Sequence, residues 1–160
     1  MNSDELTTAT REEIKKIEDE VVRKVRKSKN RPCTMVACST LDSEAYGLGK
    51  SGGFYIDRYD DRVLDRLKAL GGIGGYRKEC PYKIGHCAEP HAASEMLIIE
   101  PGEDLDNLVF GVAQHCRTKI KIYPYCKNCR DTFPQLPECF TCVIDGVEYS
   151  ITMEDDYETL

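Results

Sequence analysis

At 160 residues with 41% apolar content, the chain is long enough to bury one core and is expected to form a single domain over residues 1–160. Its 28 acidic residues outweigh 22 Lys and Arg, for a net charge of −6, which excludes a globally basic nucleic-acid binder and leaves such contacts to a local patch. No apolar run approaches the roughly 20 residues of a membrane-crossing helix.

The acidic opening Met1-Asn2-Ser3-Asp4-Glu5 lacks the apolar stretch of a secretory signal, so a cytoplasmic location is expected. Nine cysteines in such a compartment are an odd set that cannot all pair. They more often pack, react or bind metal.

Residues 10–29 carry Ile14, Ile17, Val21 and Val25 at helical spacing, and Thr10 with Glu13 matches a capping box. The far end is basic (Arg23, Lys24, Arg26, Lys27, Lys29 and Arg31), which suits a solvated helix C-terminus or a phosphate-contacting patch. After Pro32, the run 33–38 predicts a buried strand holding Cys33 and Cys38 as small core residues. Residues 44–50 could return as a second strand, a prediction weakened by Gly47, Gly49, Gly52 and Gly53, with an open loop near the pocket as the alternative.

A helix capped by Asp60 or Asp61 follows, with Val63, Leu64, Leu67 and Leu70 on one face and Gly71-Gly72 at its end. The glycine run 71–75 lacks the Lys-Ser/Thr of a phosphate loop, so it is expected to be a flexible linker at the rim of a site. A third helix runs from about Ala88 through Ile99, with Pro90 in its first turn. Residues 108–113 are the best central strand candidate and 120–123 supplement it. A short helix is expected from Cys126 to about Thr132. Asp145-Gly146 between apolar runs predicts a hairpin over 140–151, ahead of a frayed acidic tail at 154–160.

Two motifs carry chemistry: Gly85-His86-Cys87-Ala88-Glu89-Pro90-His91, and Pro124-Tyr125-Cys126-Lys127-Asn128-Cys129-Arg130. Cys87, Cys126 and Cys129 could supply three thiolates to zinc, leaving one position open, with Glu89 close enough to reach a water there. A rival set exists. Cys126, Cys129, Cys139 and Cys142 form two Cys-x-x-Cys pairs separated by nine residues, spacing suited to a four-thiolate structural zinc in a noncatalytic interaction domain. A redox Cys-x-x-Cys is a third option.

Cys-Ala-Glu followed by Cys-x-x-Cys-Arg resembles the zinc-dependent cytidine deaminase superfamily, in the order of elements over about residues 31–152 and in identity at the two motifs. Tyr125 stands where that family has Pro directly before Cys. The resemblance implies an α/β fold, a three-layer α/β/α sandwich with a mixed sheet. It also implies zinc on Cys87, Cys126 and Cys129, and Glu89 as the proton shuttle for a zinc-bound hydroxide that converts cytosine to uracil.

Substrate contacts are then expected from His86, His91, Tyr76, Tyr82 and Arg130, with Tyr55 and Tyr59 as further stacking candidates. Arg130 could also hydrogen-bond a thiolate. The Asn-x-Glu segment with which free-nucleoside members hold ribose is absent from residues 44–59. The Cys-Ala-Glu-Pro wording and the glycine-rich approach are more similar to toxin-type bacterial deaminases of the YwqJ-like kind. This resemblance implies a DNA or RNA base as substrate and delivery to another cell. Free cytidine, deoxycytidine or another aminated ring is the alternative.

Overall fold

The structure is a computed structural model that describes residues 1–24, 34–52, 58–116 and 119–153, with the backbone alone described over 18–24. The expected side-chain face at Val21 and Val25, the basic cluster up to Arg31, Cys33, Tyr55 and the 154–160 tail lie outside that description.

Helix α1 (Ser3–Lys24) begins well ahead of residue 10. Its capping box is Asn2 with Glu5: Glu5 N donates to Asn2 Oδ1 (2.9 Å), and Asn2 N donates to Glu5 Oε1 (3.0 Å). Thr10 is an interior residue, not a cap. Its buried hydroxyl donates to Leu6 O (2.7 Å) and accepts from Ala37 N (3.0 Å), tying the helix to a strand.

That strand, β1 (Thr34–Ser39), is the centre of the sheet. It pairs antiparallel with β2 (Gly47–Lys50) on one side, and on the other with the short β3 (Val109–Phe110) and β4 (Gln114–His115). All described pairings are antiparallel, so the expected mixed sheet is not found among the described residues. The expected central strand at 108–113 is instead a broken neighbour of β1. Cys38 faces Phe110 and Met35 faces Gln114, so Val36 and Ala37 stand against Gly111, Val112 and Ala113. The extra residue is a bulge. Its loose Val112 amide is taken up by Thr7 Oγ1 (3.0 Å), and the Gln114 side chain donates to Thr7 O (3.0 Å).

β1 is buried on both faces. Met35 packs with Ile14 of α1 and Cys116. Val36 and Cys38 pack with Ala88, Ala92 and Met96. The latter three belong to α3 (Ala88–Ile99), which lies across β1 and β2.

The glycines expected to weaken β2 are what lets α3 approach. A Cβ on Gly49 would run into the Ala88 carbonyl and the Ala92 amide, and one on Gly47 into the Met96 amide. Bare strand backbone meets the alanine-rich side of a helix, which sets the height of the α3 N-terminus against the sheet.

Helix α2 (Asp61–Leu70) is capped by Asp60, whose carboxylate accepts from Arg62 N, and ends at Gly71 with φ 137°. Helix α4 (Lys127–Thr132) packs beside α2. Strands β5 (Phe140–Ile144) and β6 (Val147–Ile151) form a separate hairpin, turned at Asp145 (φ 49°) and Gly146 (φ 80°) as the Asp-Gly pair predicts. Their inner face carries Cys142, Ile144 and Ile151 against Val112 and Ile122. No described helix is long and apolar enough to cross a membrane.

Candidate metal centre

The two motifs meet through matching helix starts. Cys87 is the N-cap of α3 and Cys126 the N-cap of α4, both extended with φ −67° and ψ 162°. Cys126 Sγ accepts from Cys129 N (3.4 Å), the link that makes Cys-x-x-Cys turn into a helix with both sulfurs on one side. Cys87 Sγ lies 3.1 Å from Cys126 Sγ. The sulfurs of Cys87, Cys126 and Cys129 all fall within 4.8 Å of one another, the one cluster among the described residues able to hold a metal ion.

Glu89 enters from the first turn of α3. It is 3% exposed, and Cys129 Sγ donates to its Oε2 across 3.4 Å. Burial raises its pKa above the usual carboxylate range, opposed by its own backbone amide and the Cys129 thiol. Without a metal, hydrogen bonds from Cys126 and Cys129 hold the Cys87 thiol down to about 6, and Cys129 is pushed up by its bonds with Cys126 and Cys87. Three thiols this close share charge as one unit, which is the donor chemistry a dication replaces.

A cavity of about 280 Å³ opens onto Cys87, Cys126 and Glu89. Thr34, Ser51, Tyr82, His86, Ala113, Tyr123 and Pro124 complete its wall. Burial lowers the pKa of His86, helped by the nearby Lys83 ammonium, so the imidazole favours its neutral form. Burial also raises the Tyr82 phenol to about 12, with the cysteine charges adding to it. A larger cleft, about 720 Å³, lies between the start of α1, β3 and β5; none of the clustered cysteines nor Glu89 lines it.

The other expected contacts scatter. His91 stacks on Tyr59 (centroids 4.9 Å apart), with Tyr59 OH donating to Gly85 O, and neither residue lines the cavity. Tyr76 is 69% exposed, with Lys83 over its ring. Arg130 Nε donates to Tyr125 O (3.2 Å) and its Nη1 lies 3.7 Å from Glu138. Tyr125, the departure from the motif, is a buried anchor: its hydroxyl donates to Gly111 O (2.5 Å) and its ring packs on Phe140.

The rival four-thiolate set is not assembled. Cys139 is exposed, and Cys142 is buried in the hairpin core, away from the Cys126 cluster. Alternation along β5 sends Cys142 into that core.

Thr34, Ser51, Ala113 and Tyr123 are not singled out by the sequence, and neither is Cys80, which is buried in the same core cluster as Cys126. Tyr123 had a local signal in its position just before Pro124. Thr34 and Ser51 reach the wall only because β1 and β2 pair, Ser51 N donating to Thr34 O (3.0 Å) and Thr34 N to Ser51 Oγ (2.9 Å). No protein-family model, curated protein or solved structure matches the chain.

Proposed function

We propose that the chain is a zinc-dependent hydrolytic deaminase that converts cytosine to uracil, on a DNA or RNA base, within a fold of the three-layer deaminase kind. The observation that carries this reading is the meeting of three cysteine sulfurs with a buried carboxylic acid, where Cys87, Cys126 and Glu89 line a small cavity.

The donor set suits the ion. Zinc–sulfur bonds of about 2.3 Å at tetrahedral angles need sulfurs about 3.8 Å apart. The observed sulfurs, 3.1 Å apart for Cys87 and Cys126 and all within 4.8 Å, bracket that spacing. Three protein ligands leave a position toward the cavity, as in catalytic sites and unlike closed structural ones. When bound, zinc supplies a water acidified enough to give up a proton near neutral pH.

Glu89 is the residue that would receive that proton and pass it to the ring nitrogen, then carry the attacking water's second proton to the amine, which leaves as ammonia. Its buried carboxyl favours holding a proton, and it sits beside the sulfur cluster without being one of the clustered ligands. Tyr82 and Tyr123 offer flat apolar walls for one ring, and His86, Thr34 and Ser51 offer polar edges. At about 280 Å³ the cavity is at the small end for ligand sites, which favours a single ring over a larger molecule. Helices on either side of β1 support the fold assignment.

The test is deamination on single-stranded DNA, duplex DNA, RNA and free cytidine, read by C-to-U sequencing and ammonia release, beside zinc analysis. Activity on a polymer and not on the nucleoside is expected. The reverse preference moves the substrate to free cytidine, and no release from any of them overturns the reading.

A further inference from the structure

The mouth of the small cavity gathers cations and aromatic rings. Lys119-Ile120-Lys121-Ile122-Tyr123 alternates in character, and its last residues run beside β4: His115 N donates to Lys121 O (2.8 Å) and Tyr123 N to Ala113 O (3.0 Å). Ile122 is buried in the hairpin core with Ile120 packed against it, so Lys121 and Tyr123 take the opposite side. Tyr123 lines the cavity, and the Lys121 ammonium stands 5.5 Å from the centre of its ring. Lys119 and Lys121 are both exposed.

The loop before α3 repeats the pairing. Tyr82 and His86 line the cavity, and between them in the chain the exposed Lys83 holds its ammonium 5.6 Å from the centre of the Tyr76 ring. Tyr76 is 69% exposed, which leaves ring surface for a contact from outside. Among the described residues lining the cavity, the sole carboxylate is the buried Glu89. Asp4, Asp42, Glu103 and Asp106 line the larger cleft instead, where no Lys or Arg joins them. A chain of net charge −6 therefore repels a polyanion at one opening and admits it at the other.

We infer that a single strand of nucleic acid lies across the mouth of the small cavity, with phosphates on Lys83 and Lys121 and a base next to the inserted one stacked on Tyr76. This deepens the reading above and rests on it for the base that enters the cavity; the phosphate and stacking contacts are its own. Paired ammonium and aromatic groups suit an unpaired strand, whose phosphates and ring faces are both open. A duplex keeps its bases stacked on one another, and an acidic peptide would use the lysines and leave the rings idle.

The experiment is fluorescence anisotropy on the intact chain with labelled oligothymidylate and oligouridylate of about ten nucleotides, a site length common for such grooves. A duplex and an oligoglutamate of similar charge are the competitors. None of the strand probes contains cytosine, so binding is read whether or not the chain deaminates. Either strand should bind more tightly than both competitors. Removing Lys83 and Lys121 together, each to Ala, should weaken strand binding about tenfold or more at low salt. It should also flatten the plot of log affinity against log salt by about 0.7 for each lysine. Tyr76→Ala should lose about fivefold or more, while Tyr76→Phe, which keeps the ring, should stay within about twofold. Lys68→Ala, an exposed lysine on α2 that lines neither opening, is the charge control and should change little.

No strand binding at low salt overturns the inference. So does duplex or oligoglutamate held as tightly as a strand, an unchanged salt slope in the double variant, or an equal loss in Lys68→Ala. Equal losses in Tyr76→Ala and Tyr76→Phe overturn the stacking contact. A strand held in this way by a chain that deaminates nothing keeps this inference and sinks the deaminase reading; deamination of free cytidine with no strand held does the reverse.

Discussion

Cys129 Sγ points its proton at Glu89 Oε2 across 3.4 Å, with both groups shut away from solvent. On the proposed reading, a carboxyl in contact with one of the three clustered sulfurs would exchange protons beside the ion without holding it. Glu89→Ala should therefore lower deamination roughly 10²–10⁴-fold while leaving the zinc content at one per chain. Activity assays paired with elemental analysis check this. Loss of zinc along with activity would make Glu89 a ligand.

The cysteines should separate cleanly. Cys87→Ala, Cys126→Ala or Cys129→Ala should each release the metal, because each removes one of three clustered sulfurs. Cys139→Ala should keep it, since Cys139 is exposed and outside the cluster. Chelation of the intact chain should lower its melting temperature, as removal of a ligand bound only by the native state must. A zinc-free Cys139→Ala protein would revive the four-thiolate alternative.

Gly49→Ala should cost about 3 kcal/mol or more, since the new methyl meets helix backbone that cannot turn aside. The urea midpoint should fall, and zinc affinity with it, because α3 cannot settle without lifting Cys87. Gly102→Ala is the control: nothing lies within 4 Å of the added methyl, and little change is expected.

Tyr46 OH donates to Glu13 Oε1 at 2.7 Å, fastening the β1–β2 connection to α1. The Tyr46 hydrogen bond lowers the Glu13 pKa below its usual 4.5, so its stabilisation is complete above that value and is lost as pH falls through the lower folded value. The Tyr46 phenol is raised to about 12, by burial and then by Glu13. Its stabilisation is complete below 10 and disappears as pH climbs through about 12. Tyr46→Phe should lose about 1 kcal/mol at pH 7, with the gap from the parent narrowing at pH 3 and again above pH 11. Urea unfolding at the three pH values measures it, and a constant gap would contradict the assignment.

Much of the centre was legible because its information is local. Cys-x-x-Cys at a helix start, Asp60 as a cap, Gly71 as a stop and Asp145-Gly146 as a turn each act within a few residues. What the sequence hid was relational. Gly47 and Gly49 weaken a strand by propensity, yet here they admit a helix that the chain supplies some forty residues later. Thr10 and Glu13 satisfy a capping pattern, but Asn2 and Glu5 do so further upstream, and the threonine serves a strand instead. The Thr34 and Ser51 edges of the cavity exist only once two strands have paired.

The extra residue opposite Val36 and Ala37 also keeps two strands in phase across a mismatch of one position. Strand side chains alternate, so one surplus position resets the phase between Phe110 and Gln114, and Ala113 reaches the wall with Tyr123 alongside through its amide bond to Ala113 O (3.0 Å). Excising Val112 would let the ladder run unbroken with Gln114 still opposite Met35 and every side chain on its present face. What would go is the amide that Thr7 Oγ1 holds, and with it one of the ties by which α1 grips the broken strand beside the pocket.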